Sequence, residues 1–312
     1  MLNDTTKYAA VSYTWGSGHD SIRRILLNGS IICVRKNIWN FLSRIADEGE
    51  RQLLWIDALC IDQQNLFERN HQVAIMGDIY SRASKVLIWL GFGTQKMHEQ
   101  LMKLSDLAKP SERIRISEWD QAFADCILCL CWAPYWTRVW IVQEVVLASE
   151  LEILCGTQSR IDGTELAWLY KTAEHELVYN SGNRNSLVAE ILITSPAMHI
   201  IRHRIDRLQT LPQQRGLPVI SLQSTFAGLQ CKDPRDRVYG MLALANPDDL
   251  ALIDIKPDYA KPVDQVLFEW RTKLFKYRWM LSYPLYIPPP RVEGLLKCGL
   301  HETAWTPLLA WE

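Results

Sequence analysis

Short runs of continuously apolar residues, separated by segments with helical periodicity, constrain this chain more than any other feature. Ala9-Ala-Val-Ser-Tyr13, Leu53-Leu-Trp-Ile56 and Val86-Leu-Ile-Trp-Leu90 each read as a strand with no solvent-facing side. Such a strand must be covered on both faces, which is the burial pattern of a parallel sheet joined by helical crossovers. Between the first two runs, Ile38, Phe41, Leu42 and Ile45 recur at i, i+3, i+4 and i+7, with Asn37 placed as an N-cap. Between the second and third, the spacing predicts a helix over 66–81 with Val73, Met76 and Tyr80 inward. Leu151-Glu-Ile-Leu-Cys155, stopped by Gly156, reads as one further strand. Residues 1–155 are therefore expected to form an α/β domain.

From about residue 99 the pattern is mostly helical. Segments 120–133 and 137–149 flank a Pro134-Tyr-Trp turn, and 165–179 and 187–208 follow, with Pro196 breaking or kinking the second of these. Arginines 202, 204, 207, 215, 235 and 237 make this region locally basic, but Asp206, Asp233 and Asp236 interrupt them, as in a solvated, ion-paired face. Residues 156–312 are expected to be a mostly helical extension. Pro284 to Pro290 reads as extended chain, and Ala304 to Glu312 shows no helix stop, so the C-terminus reads as truncated.

The formal charge of −1 gives the whole chain no electrostatic footprint for nucleic acid or for an anionic membrane. No run approaches the ~20 apolar residues of a membrane span. The N-terminus lacks the basic-then-apolar order of a signal peptide, which points to the cytoplasm and to no membrane anchor. Cys126-x-x-Cys129-x-Cys131 has apolar residues between its sulfurs and no second pair at ribbon spacing, so it reads as buried helix cysteines. His199 and His203 stand at i, i+4 without the glutamate of a zinc protease motif. Neither a metal nor a cofactor is expected.

The chain has 13 Trp against 7 Phe. An indole brings an N–H that needs a partner and a face that stacks or covers a charge, so the placement of these residues matters. Trp55 and Trp89 lie inside apolar strands and read as core. Trp15, Trp136 and Trp140 lie near three polar clusters. Ser12-Tyr-Thr-Trp-Gly16 ends the first strand, and Asp57-Ala-Leu-Cys-Ile-Asp62 ends the next. In open α/β sheets ligands bind beyond the carboxyl ends of the strands, so these loops face one crevice. Asp57 and Asp62 also fit plain turn and helix-cap chemistry. In the third cluster, Trp136-Thr-Arg-Val-Trp140-Ile-Val-Gln-Glu144, a helix puts Trp140 and Glu144 one turn apart. An indole beside a carboxylate desolvates it and raises its pKa. The alternative is a surface glutamate paired with Arg138 or another neighbour.

These blocks carry a family resemblance. Tyr8-Ala-Ala-Val-Ser-Tyr-Thr-Trp-Gly16, Leu54-Trp-Ile-Asp-Ala-Leu-Cys-Ile-Asp-Gln63, Glu68-Arg69, Gln72 to Tyr80, Val86 to Gly91 and Arg138-Val-Trp-Ile-Val-Gln-Glu144 resemble the heterokaryon incompatibility (HET) domain of filamentous fungi. Asp233-Pro-Arg-Asp-Arg-Val-Tyr-Gly and Pro257-Asp-Tyr259 resemble the segment that commonly follows it. Asp62 stands where the family often has Asn. The resemblance implies a role in fungal non-self recognition that ends in programmed cell death, with partners from the incompatibility system and self-association on activation.

The chain is also distantly similar to TIR domains, some of which cleave NAD at the nicotinamide–ribose bond. That similarity implies a TIR-like, flavodoxin-type sheet. Ser12 and Tyr13 match the first TIR box, Asp57 ends the equivalent second strand, and Trp140 and Glu144 match the Trp and the catalytic Glu. By that resemblance Glu144 is catalytic, Trp15 or Trp140 stacks on the leaving ring, and Ser12 and Asp57 bind ribose hydroxyls. The backbone near Gly16 approaches phosphates, and Tyr13 and Asp62 line the same loops. NAD is then a substrate rather than a cofactor. The competing expectation is a non-enzymatic assembly module. An open cleft at Glu144 favours the enzyme, and a closed, paired Glu144 fits the module.

Overall fold

The computed structural model describes residues 6–16, 21–49, 51–108, 115–179, 184–211 and 215–282. The strands are β1 (Ala9–Tyr13), β2 (Ile22–Leu27), β3 (Ser30–Arg35), β4 (Leu54–Trp55), β5 (Lys85–Trp89), β6 (Leu151–Cys155) and β7 (Ser159–Asp162). Interspersed with them are α1 (Lys36–Asp47), α2 (Asp57–Cys60), α3 (Leu66–Ala74), α4 (Met76–Arg82), α5 (Gln95–Leu107), α6 (Gln121–Cys131) and α7 (Ile141–Val146). The later helices are α8 (Gly163–Tyr179), α9 (Arg184–Ile193), α10 (Pro196–Gln209), α11 (Val219–Thr225), α12 (Asp236–Tyr239), α13 (Pro247–Ile253) and α14 (Val263–Ser282).

Five strands form one sheet in the order β4-β1-β5-β6-β7. Counted by their own succession this is 2-1-3-4-5, the flavodoxin-type order. β1, β4, β5 and β6 are parallel, while β7 returns antiparallel on β6. The fold is thus α/β with a mostly parallel sheet flanked by helices and followed by a helical C-terminal region. Strand alternation divides the core. Ala9, Val11, Tyr13, Leu87 and Trp89 face α1, where Ile38, Phe41 and Ile45 cover them. Ala10, Val86, Ile88 and Ile153 face the opposite cluster, which includes Met76, Tyr80, Val142 and Val145. The expected boundary at 155/156 falls between two paired strands, and the larger core cluster runs across it from Tyr8 to Tyr277.

Several local expectations are corrected. α1 starts at Lys36, and Asn37 does not cap it. Asn37 instead donates to the Thr14 carbonyl (2.7 Å) and accepts from Trp89 Nε1 (2.9 Å). The helix over 66–81 is two helices, interrupted at Ile75. Segment 137–149 contains only the six residues of α7 as helix. Thr137 instead ends a 3-10 turn from Pro134, and Arg138 is extended because Thr137 and Val139 bond the backbone of Gln230, so a tertiary contact overrides the periodicity. The break at Pro196 is real: buried Ser195 caps α10, with Pro196 in its first turn. β2 and β3 pair antiparallel as a hairpin outside the runs that read as strands. Its Asn28-Gly29 turn, with φ of 51° and 78°, is the dipeptide that favours a two-residue hairpin connection. The readings for Pro284–Pro290 and the C-terminal residues fall outside the described residues.

Candidate functional site

The site lies at the carboxyl edge of the sheet, where β1 and β4 deliver Ser12, Tyr13 and Asp57. Because Ser12 alternates with Val11 and Tyr13, its side chain faces α7, and there it meets Glu144. The Ser12 hydroxyl donates to Glu144 Oε2 in a short contact. Its one proton is thereby committed, so the hydroxyl of Tyr135, which also contacts Ser12 Oγ, is the donor to it. Glu144 is 4% exposed. Burial pushes its carboxyl up to about 7, the nearby Arg138 cation and the Ser12 bond oppose that rise, and the Asp57 charge adds to it. Arg138 itself donates to the Tyr13 carbonyl.

Asp57 is half-buried at the start of α2. Trp15 Nε1 donates to its Oδ2 (2.7 Å) and the Ala58 N–H to its Oδ1 (2.7 Å), with Tyr13 as a further hydrogen-bond partner. Burial raises its carboxyl from the ordinary range, while Trp15, Tyr13 and Arg138 pull it back. Burial also raises the Tyr13 and Tyr135 hydroxyls, so both stay protonated donors. Gly16 has φ 79° and is exposed, and the carbonyls of Trp15 and Gly16 accept from Arg35 (3.3 and 3.1 Å).

Ser12, Tyr13, Trp15, Asp57 and Glu144 are thus brought together, with Gly16 at the rim. Two expected members stand elsewhere. Asp62 is exposed and serves a turn: it accepts from the Gln64 N–H, and its own N–H donates to Glu68. Trp140 precedes α7, and its Nε1 donates not to Glu144 but to Asp236 Oδ2 (3.1 Å). Trp136 is core, with its N–H on the Leu130 carbonyl. Buried Ser12 and Tyr135, rather than the indole of Trp140, line the carboxyl.

Behind α7 the later blocks converge. Tyr259 donates to Asp236 Oδ1 (2.6 Å), and Arg69 lies 3.6 Å over the Tyr259 ring. Arg235 forks onto Asp233 and the carbonyls of Tyr259 and Lys261. The bonds that Tyr135, Asp236 and Tyr259 make are not encoded in local spacing, because they join distant parts of the chain. Among the described residues no His/Cys/Asp/Glu group is arranged to hold a metal ion, and no helix is long and apolar enough to cross a membrane.

Residues 8–144 match the model of the heterokaryon incompatibility protein (HET) family. Over those residues the chain is similar to a HET domain. It is also similar to Heterokaryon incompatibility protein 6, OR allele, of Neurospora crassa, at 24% identity over an alignment covering 90% of this chain. The chain spans about half, 49%, of that relative's length. No solved structure matches the chain. Every residue of the Ser12–Glu144 group lies within the HET match, whereas Asp236 and Tyr259, which brace α7, lie beyond it.

Proposed function

We propose that this protein acts in fungal heterokaryon incompatibility as a cell-death effector, and that its HET domain hydrolyses NAD at the nicotinamide–ribose bond with Glu144 as the essential carboxyl. The HET match and the name of the Neurospora relative support the incompatibility role. The observation that carries the chemistry is a carboxyl held near neutrality by burial and hydrogen-bonded by Ser12 at the carboxyl end of a parallel strand. As the glycosidic C–N bond breaks, its electrons leave with nicotinamide and the ribose becomes oxocarbenium-like. The Glu144 carboxylate stabilises that charge, and water adds to the sugar carbon and releases a proton. Trp15 offers a stacking face, and Asp57 a ribose partner, at the more open rim. In the closed form Glu144 is out of reach of a dinucleotide, so in this reading activation, through self-association, opens the site.

That closure is also the observation favouring a second reading, an oligomerising module that kills through protein contacts. One experiment separates the two. Purified, oligomerised protein is incubated with NAD and free nicotinamide is followed beside a Glu144→Gln variant. Turnover by the parent and its loss in the variant are expected. Equal turnover by both proteins removes Glu144 from the mechanism. No turnover, with killing retained by the variant, assigns the module.

A further inference from the structure

β2 and β3 form a two-stranded ribbon separate from the main sheet. Their register puts Ile22, Arg24 and Leu26 on one face with Ile31, Cys33 and Arg35, because side chains alternate along each strand. The opposite face turns Ile25, Ile32 and Val34 into the core beside α1. Among the described residues nothing covers the first face: Ile22 is 65%, Leu26 74% and Ile31 69% exposed. Scattered exposed apolar residues are ordinary, but a group on one ribbon marks a binding surface.

Charge selects the partner. From Ser21 to Lys36 every charged residue is a cation: Arg23, Arg24, Arg35 and Lys36. Arg35 is engaged with the Trp15 and Gly16 carbonyls. Among the described residues no acidic group pairs with Arg23, Arg24 or Lys36. A second copy docked face to face would bring like charges together. A surface that is anionic outside and apolar beneath fits both features. We propose that the β2–β3 hairpin docks this protein by its uncovered face on anionic membranes, with Ile22, Leu26 and Ile31 entering the headgroup–acyl boundary, Arg24 on lipid phosphates, and Arg23 and Lys36 adding positive charge around it. The ribbon's unpaired edge N–H and C=O groups stop deeper entry, so the association is peripheral. The whole-chain charge of −1 conceals this site because it averages the ribbon with acidic residues elsewhere in the chain. The proposal is independent of the catalytic reading.

The test is co-sedimentation of the full chain with phosphatidylcholine vesicles with and without phosphatidylserine. Binding to the anionic vesicles alone is expected, weakening with added salt. Arg24→Gln is expected to lower the partition about fivefold, and Arg23→Gln, on the opposite face, to lower it less. Leu26→Ser with Ile31→Ser is expected to lower it about tenfold or more. Leu252→Ser, at an exposed leucine on α13, is the control and is expected to change nothing. These side chains are exposed, so folding is retained, and a thermal melt of each variant verifies it. Equal binding to both vesicle types, or binding untouched by the hairpin variants, overturns the proposal. So does a solution dimer abolished by Leu26→Ser, which would assign the face to a second copy.

Discussion

Glu144 holds its proton more tightly in the folded chain than in the unfolded one, and this has a testable consequence for stability. The ordinary value is 4.5 and the folded value about 7. Between these the folded state binds more protons than the unfolded state, so this group's contribution to stability falls as pH rises through that window. Glu144→Gln cannot titrate, and its amide oxygen still accepts from Ser12. The stability of the variant relative to its parent is therefore expected to grow between pH about 4.5 and 7, by up to about 3 kcal/mol. Urea unfolding at a series of pH values checks this, and a difference independent of pH would refute the raised value. The tryptophans separate in the same way. Trp89 is fully buried, and Trp89→Ala is expected to cost about 3–5 kcal/mol by leaving a cavity. Trp15 is half-buried and loses mainly its bond to Asp57, so Trp15→Ala is expected to cost about 1–2 kcal/mol. Equal shifts in denaturation midpoint would move Trp15 into the core.

A helix as short as α7 does not persist on its own, because nucleation costs more than so few backbone bonds return. Its place is imposed from both ends. Trp140 at its start is tied to Asp236, and buried Arg204 on α10 donates to the carbonyls of Val145, Ala148 and Ser149 at its end. Arg204→Met keeps the apolar stem but leaves those carbonyls unpaired, with an expected loss of about 3 kcal/mol by denaturant unfolding. A loss under about 1 kcal/mol would show that α7 is held without it. This dependence explains what was legible beforehand. β1, β5 and β6 were readable because their apolar runs report burial directly, and Ser12 and Asp57 because they follow such runs. The hairpin announced itself only in Asn28-Gly29, since its exposed leucines and isoleucines break the alternation that marks a half-buried strand. The pairing of Ser12 with Tyr135, and of Trp140 with Asp236, spans 123 and 96 residues, so no local spacing encodes it. Asp62 and Asp57 look alike in sequence, and only the turn around Gln64 separates a turn-forming carboxylate from one in the site.

At the scale of the whole chain, the HET match ends inside α7, yet the packing does not end there. The larger core cluster joins Val142 and Val145 of α7 to Met198 and Ile201 of α10 and to Val238, Tyr239 and Leu244 beyond them. Gly77 on α4 has no room for a side chain, since an added Cβ would meet Ala243 Cβ at 2.3 Å. The later residues therefore close the hydrophobic face of the sheet rather than decorate it, and they carry both anchors of the Glu144 helix. A chain cut after Asp162 keeps every strand of the sheet but loses Arg204, Asp236 and the cover of α8 and α10. That fragment is expected to show no cooperative thermal transition, while the full chain melts in a single transition whose calorimetric and van't Hoff enthalpies agree. Two resolved transitions in the full chain would show that the first 155 residues fold as a unit. A cooperative melt of the fragment, at the temperature of the parent, would show that α7 needs neither anchor.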